Sequence, residues 1–185
     1  MIAAVIREAE RLFRTCGKNV KQAELMASIA GEYVDRIAYL KLLFNEDFEI
    51  LELMAQRAHD ITEKYFGKVL ILYAPLYLSD YCTNGCVYCG YSAANKPMRR
   101  KKLDPTEMEA EMIALRDAGF DSVLLLTGGD RRQAPVDYIS DAIYRGRKFF
   151  SEIILEIYAL TTEEYRVVRE AGASGLTIYQ ETYDR

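Results

Sequence analysis

Three cysteines lie close together, Cys82, Cys86 and Cys89, in a Cys-x3-Cys-x2-Cys run. Thiolates at this spacing can share a soft metal centre. A closed structural zinc site uses four ligands, commonly two separated pairs of cysteine or histidine. The remaining cysteine, Cys16, and the single histidine, His59, are both distant in sequence. Three cysteines without a local fourth ligand therefore favour a [4Fe–4S] cluster with one iron open to another ligand, because such clusters are otherwise held by four thiolates.

Two other interpretations of these cysteines are open. A disulfide with a spare thiol would suit a secreted protein, yet residues 2–16 mix charged and apolar side chains and contain no signal-peptide core. Cytosolic proteins keep their thiols reduced, and we expect a cytoplasmic location. A zinc site completed by a second chain is the other alternative, and stoichiometric zinc in the purified protein would favour it.

The first part of the chain is predicted to be helical, and the first strand follows it. Residues 2–16 and about 21–43 have apolar positions near helical spacing. Asn45 is a candidate cap for a further helix that ends just before Gly67. The apolar run at 69–77 predicts a strand buried on both faces, as in a parallel sheet. The three cysteines would then follow the carboxyl end of a buried strand, where α/β barrels build their active sites.

Beyond the cysteines, helices and strands alternate. Asp104-Pro-Thr-Glu107 predicts a helix start, because it combines a capping side chain, a proline at the first helical position and a glutamate three residues after the cap. The other predicted elements are strands at 122–126, 153–159 and 176–180, and helices at 136–149 and from Thr161 to Gly172. This alternation predicts βαβ units and a parallel sheet.

The predicted fold class is α/β, with N-terminal helices at 1–68 followed by about four βα units at 69–185. Four such units are half of a (β/α)8 barrel of the TIM type. Because the chain stops on the predicted fourth strand, we expect it to be the N-terminal half of a longer protein. An isolated half barrel would expose two unpaired parallel edges.

Composition and charge give no indication of a nucleic-acid or membrane partner. Half of the 185 residues are hydrophobic and the formal net charge is −4. This mild acidity gives no reason to expect a nucleic acid or a membrane surface as a partner, and no apolar run approaches the length of a membrane span. The basic run at 96–102 lacks the interleaved aromatic residues of single-strand binders. We interpret it as part of the segment that carries the cysteines.

The residues around the cysteines resemble a known family. A Cys-x3-Cys-x-aromatic-Cys motif, here with Tyr88 as the aromatic residue, is the signature of the radical S-adenosylmethionine (SAM) enzymes. Within them, the chain resembles the tyrosine lyases, namely 2-iminoacetate synthase of thiamine biosynthesis and its relative in [FeFe]-hydrogenase maturation. The supporting stretches are 55–67, Ala74-Pro-Leu-Tyr-Leu-Ser79, Cys86-Val-Tyr-Cys-Gly-Tyr91, Asn95, Arg100-Lys-Lys-Leu103 and Tyr179-Gln-Glu-Thr-Tyr183. The resemblance runs from about residue 45 to the last.

The resemblance implies the cofactors, the reaction and the partners. A [4Fe–4S] cluster on Cys82, Cys86 and Cys89 would chelate SAM through its open iron and reduce it to give a 5′-deoxyadenosyl radical. In the tyrosine lyases, this radical takes hydrogen from L-tyrosine, and the Cα–Cβ bond breaks to give p-cresol and 2-iminoacetate. The cofactors carry the difficult chemistry, and the protein binds, orients and shields them. The implied partners are the small-molecule substrate, an electron donor such as flavodoxin or ferredoxin, and thiazole synthase.

The resemblance also implies SAM contacts, with Tyr88 next to the cluster. Gly128, Gly129 and Asp130 stand where these families carry a Gly-Glu segment that contacts the SAM amino group. Glycines at a strand end allow a close backbone approach to a ligand. Here Gly129 occupies the glutamate position, so either Asp130 reaches the amino group or backbone carbonyls suffice. Glu156 is a candidate SAM contact or, alternatively, a charge at a sheet edge, since a buried carboxylate needs a partner.

The last candidates follow predicted strand four. Gln180, Glu181 and Tyr183 would face SAM or the substrate at the catalytic end of the barrel. Two further functions stay open: a radical SAM relative with another substrate, and an iron–sulfur or zinc-binding fragment without turnover. Because a half barrel would leave the radical open to water, we expect the 185-residue chain to make no measurable p-cresol and an extended chain to make it.

Overall fold

The computed structural model describes residues 2–16 and 21–179. The chain divides into two compact units, Met1–Leu70 and Ile71–Arg185. The first unit is helical, and its helices are α1 (Ile2–Cys16), α2 (Gln22–Ala30), α3 (Arg36–Leu43) and α4 (Phe48–Phe66). The second unit carries the sheet. No helix in the described ranges has the length and apolar character that crossing a membrane requires.

The predicted helix at 21–43 is wrong as a single element. It is interrupted after Ala30 because Gly31 leaves the helical conformation, with ψ of 155°. The next helix begins afresh with Asp35 as its cap, whose side chain accepts hydrogen bonds from the backbone of Ile37 and Ala38. Two separate helices result because a capping aspartate in mid-segment satisfies a new helix N-terminus.

Helix α4 begins at a different cap from the predicted one. The Asp47 side chain accepts from the backbone N–H groups of Glu49 and Ile50, whereas Asn45 Nδ2 donates to the Asp47 carbonyl at 2.9 Å. The predicted end is confirmed, since Gly67 follows the helix with a φ of +64°. That conformation costs glycine little and strains other residues.

The second unit is a four-stranded parallel sheet in the order β1-β2-β3-β4. Its strands are β1 (Tyr73–Ser79), β2 (Ser122–Thr127), β3 (Glu152–Glu156) and β4 (Gly175–Thr177). The connecting helices are α5 (Pro105–Asp117), α6 (Val136–Gly146) and α7 (Thr162–Ala171). The predicted alternation of strands and helices is thus confirmed, together with the α/β class. The predicted helix start at Asp104 is a capping box, and so is the start at Thr161.

Strand β1 begins four residues later than predicted. Residues 69–72 form no strand, and their side chains are 64–80% exposed. Within β1, the buried Ala74, Leu76 and Leu78 alternate with the exposed Tyr73, Pro75 and Tyr77. The strand is therefore buried on one face, because helices cover only that face. Helix α6 and strand β3 each end three residues before the predicted position, and the last predicted residue of strand four lies outside the described residues.

The main core lies between the sheet and its helices. Leu76, Leu125 and Leu155 are register partners across three strands and share the covered face. They pack in one cluster with buried side chains of the three connecting helices, including Met108, Met112, Ile139, Ile143 and Val168. Burial of such side chains contributes roughly 1.5–3 kcal/mol each. The helices cover this face of the sheet, so a functional site on the sheet must lie on its opposite face.

Candidate active site

A cavity of about 680 Å³ lies at the carboxyl ends of the strands. Its floor is a single row of register partners across the sheet, Tyr77, Leu126, Glu156 and Thr177. Side chains alternate between the two faces of a strand, so these residues lie opposite the leucine row of the core. Active sites of parallel α/β barrels form at this end of the strands.

The three cysteines line this cavity. They lie in the segment of residues 80–103 between β1 and α5, here called the cysteine loop. Each thiol is free and partly buried. Two consecutive turns shape the segment, since Cys89 N donates to Cys86 O at 3.3 Å and Ser92 N donates to Cys89 O at 3.0 Å. All three predicted ligands thus line the same cavity.

The cysteine thiols suit a cluster better than a single ion. In the described part of the chain, no three His, Cys, Asp or Glu side chains are grouped to hold one metal ion. In a [4Fe–4S] cluster each thiolate binds a different iron. The Gly129 amide also donates to Cys82 Sγ at 3.2 Å, and hydrogen bonds to the sulfurs help to set cluster potentials. The donor set and the cavity volume therefore fit a cluster together with a small organic ligand.

The two glycines after β2 lie against the cysteine loop and line the cavity. Gly128 N donates to Ser79 O at 2.7 Å. A Cβ atom on Gly128 would lie 2.3 Å from Tyr81 O, and one on Gly129 would lie 2.9 Å from the Asn84 side-chain amide. A side chain at the first position is therefore excluded by backbone. Contacts of these glycines with SAM stay a prediction.

Asp130 points away from this wall. Its Oδ1 accepts from Arg132 N at 3.0 Å and lies 3.6 Å from Arg132 Nε, and Asp130 is absent from the residues that line the cavity. The carboxylate thus stabilises the turn after the glycines. We therefore predict that backbone groups take the position of the family glutamate, and a direct Asp130 contact with SAM is the untested alternative.

Glu156 is the last residue of β3. This strand pairs with β2 on one side and β4 on the other, so Glu156 does not lie on an edge strand. The side chain is partly buried and lines the cavity together with Tyr88. Gln180, Glu181 and Tyr183 lie outside the described residues, although the residues just before them, 178–179, line the same cavity.

Sequence reasoning missed several residues of the cavity wall. Tyr77 and Tyr91 pack edge to face with ring centroids 5.4 Å apart, and burial raises the pKa of Tyr91. Tyr158 donates to Ala134 O at 2.6 Å, and Arg131 lies 4.8 Å from the Tyr158 ring centroid. Period-two alternation along β1 could have indicated Tyr77. Tyr91 lies at the cavity because of the course of the cysteine loop, and no periodicity in the sequence predicts that course.

The comparison with protein families identifies the class of this site. The model of the Radical SAM superfamily matches residues 76–185, and the chain belongs to this superfamily of enzymes. Its members use a [4Fe–4S] cluster and SAM, and they act on small molecules with the help of an electron donor. The match includes the cysteine loop and all strands after the start of β1.

Particular relatives narrow the comparison. The 2-iminoacetate synthases of Escherichia coli and Salmonella typhimurium are 39% and 35% identical to this chain over 161 residues, which cover 87% of the chain and 42% of each relative. The X-ray structure of the FeFe-hydrogenase maturase HydG from Carboxydothermus hydrogenoformans matches with a TM-score of 0.89 and 26% identity, over 100% of this chain and 45% of that chain. The chain thus spans about two fifths of the length of the curated relatives it matches.

Proposed function

We propose that this chain forms the cluster- and SAM-binding part of a tyrosine lyase that cleaves the Cα–Cβ bond of tyrosine to 2-iminoacetate and p-cresol for thiamine thiazole synthesis. The observation that carries the proposal is the 35–39% identity to 2-iminoacetate synthases over 87% of the chain. A flavodoxin or ferredoxin would deliver the electron. Thiazole synthase would receive the imine.

The described residues divide the work of the site. Cys82, Cys86 and Cys89 would hold the cluster, and the Gly129 amide donates a hydrogen bond to Cys82 Sγ. Cluster and SAM, when bound, supply a reducing electron and a carbon-centred radical, while the protein binds and orients them. Glu156 offers a carboxylate from the cavity floor to the polar groups of SAM. The opposite face of the sheet packs against the connecting helices and so supports this floor.

The test of this function is product analysis under anaerobic, reducing conditions. The protein is reconstituted with iron and sulfide and incubated with SAM, tyrosine and dithionite, and p-cresol and 5′-deoxyadenosine are separated by chromatography. We expect both products from a polypeptide that extends this sequence through the barrel strands of the 2-iminoacetate synthases. We expect no measurable p-cresol from the 185-residue chain, because its cavity is open to water.

The matched control is the same extended polypeptide with Cys86 replaced by alanine, which should give neither product. 5′-Deoxyadenosine without p-cresol would move the substrate to another small molecule within the same superfamily. Robust p-cresol from the 185-residue chain would contradict the argument from the open cavity.

A second candidate is the tyrosine lyase of [FeFe]-hydrogenase maturation. The TM-score of 0.89 to the maturase HydG favours it. Both candidates release p-cresol, so the other product separates them. Carbon monoxide and cyanide, measured by haemoglobin binding and by derivatisation, would support the maturation enzyme, whereas accumulation of 2-iminoacetate or its hydrolysis product glyoxylate would support the thiamine enzyme.

A further inference from the structure

The cysteine loop is closed at its base by backbone hydrogen bonds. Leu103 N donates to Leu78 O at 2.9 Å, and Asp80 N donates to Lys101 O at 3.1 Å. These bonds join the residues that enter the loop from β1 to the residues that leave it before α5. They do not reach the part of the loop that carries the cysteines, where the turn after β2 contacts the first cysteine through Gly129 N and Cys82 Sγ.

Arg100 contacts the chain on both sides of the cysteine motif. Its guanidinium Nη1 donates to Asp80 O at 2.7 Å and to Tyr91 O at 2.9 Å, and its Nη2 donates to Ser92 O at 2.8 Å. The residue is partly buried. One rigid side chain thus joins a carbonyl two residues before Cys82 to carbonyls two and three residues after Cys89.

The chemistry of arginine suits this position. A guanidinium holds its N–H donors in a fixed planar fork, accepts no hydrogen bonds and stays charged. A lysine ammonium has three donors on a flexible stem, and no planar fork.

We propose that Arg100 is a positioning residue that sets the separation of the first and last cysteines before the cluster binds. Two weaker ties support it, from Asn95 Nδ2 to Gly90 O at 2.8 Å and from Ala93 N to Asn84 O at 2.8 Å. The inference rests on the cluster site alone. It does not depend on tyrosine as the substrate.

The experiment compares Arg100→Gln and Arg100→Lys with Arg99→Gln as the matched control. Arg99 is the neighbouring arginine, and its side chain is exposed. Two readouts are measured on the full 185-residue chain. One is the rate at which chymotrypsin cuts the cluster-free protein after Tyr88 and Tyr91, and the other is the rate at which the reconstituted protein loses iron to a chelator.

We expect Arg100→Gln to raise both rates at least tenfold, Arg100→Lys to give intermediate rates, and Arg99→Gln to match the original chain. Melting temperatures by circular dichroism should stay within a few degrees, because the base of the loop and the core keep their bonds. A merely structural role would instead lower the melting temperature of both Arg100 variants, and both rates would rise only as far as that loss of stability explains.

Wild-type rates in Arg100→Gln, or in Arg100→Lys if the glutamine variant does not fold, would overturn the proposal. Failure of the original chain to bind iron would count against the cluster site. The cleavage rates of the cluster-free proteins would still decide the role of Arg100, so the two failures are distinguishable.

Discussion

Replacing Gly128 by alanine tests how closely the turn after β2 approaches the cysteine loop. The added Cβ would lie 2.3 Å from Tyr81 O, about 1 Å inside ordinary van der Waals contact, which begins near 3.4 Å. Neither group can move freely, because Gly128 N donates to Ser79 O at 2.7 Å and Asp130 N donates to Tyr81 O at 3.2 Å. The overlap must therefore displace backbone and break at least one of these bonds.

The size of the effect follows from three contributions. Overpacking costs about 1–3 kcal/mol, and loss of one backbone hydrogen bond costs about 0.5–1.5 kcal/mol. Reduced entropy of the unfolded chain offsets about 0.4–1 kcal/mol. We expect Gly128→Ala to lower the free energy of unfolding by about 1–3 kcal/mol, which shifts the urea midpoint by roughly 1 M.

Gly129→Ala is the matched control. Its Cβ would meet the Asn84 side-chain amide at 2.9 Å and Cys82 Sγ at 3.4 Å. The amide is the far end of a rotatable side chain and can move aside, so we expect a change below about 0.5 kcal/mol. Urea unfolding of both variants is followed by circular dichroism, with iron content measured in parallel. Equal midpoints for the two variants would refute the steric argument.

Three further predictions concern the cofactors. Reconstitution with iron and sulfide should give about four irons per chain. Cys86→Ala should abolish this iron uptake, whereas Cys16→Ala should keep it. A cluster retained in Cys86→Ala, or stoichiometric zinc in the isolated protein, would contradict the assignment of the cluster. Asp130→Ala should change the affinity for SAM, measured by calorimetry, less than about twofold. The substitution removes hydrogen bonds of about 1 kcal/mol within the turn and no contact with the ligand. A tenfold loss of affinity would instead support a direct contact between Asp130 and SAM. Glu156→Gln should weaken SAM binding roughly 10-fold or more, which is the scale of a hydrogen bond to a charged group. Glu152→Gln, on the same strand, should leave the affinity for SAM unchanged. Equal affinities of the two variants would show that Glu156 does not contact SAM.

Local signals in the sequence predicted local structure well. The caps at Asp104 and Thr161 and the helix end at Gly67 are correct because each depends on contacts within a few residues. The cysteine spacing is likewise local, and it indicated both the family and the wall of the cavity. The two errors in the first unit also involve local signals. Asp35 caps a new helix after Gly31 and so divides the segment that was predicted as one helix. Asp47, and not Asn45, caps helix α4.

The tertiary structure decided which of several equivalent residues take part in the site. The run at 69–77 is apolar throughout, yet only the part from Tyr73 onward is a strand, because strand formation requires a hydrogen-bonding partner from β2, distant in sequence. The same long-range register places Glu156 in one row with Tyr77 at the cavity floor. Asp130 is equally acidic and follows β2 directly, but a turn directs its carboxylate to Arg132. The sequence by itself identified the three cysteines as candidate ligands. Hydrogen bonds between segments distant in sequence decided which residues surround them in the cavity, because strand register and loop closure depend on partners that no local pattern identifies.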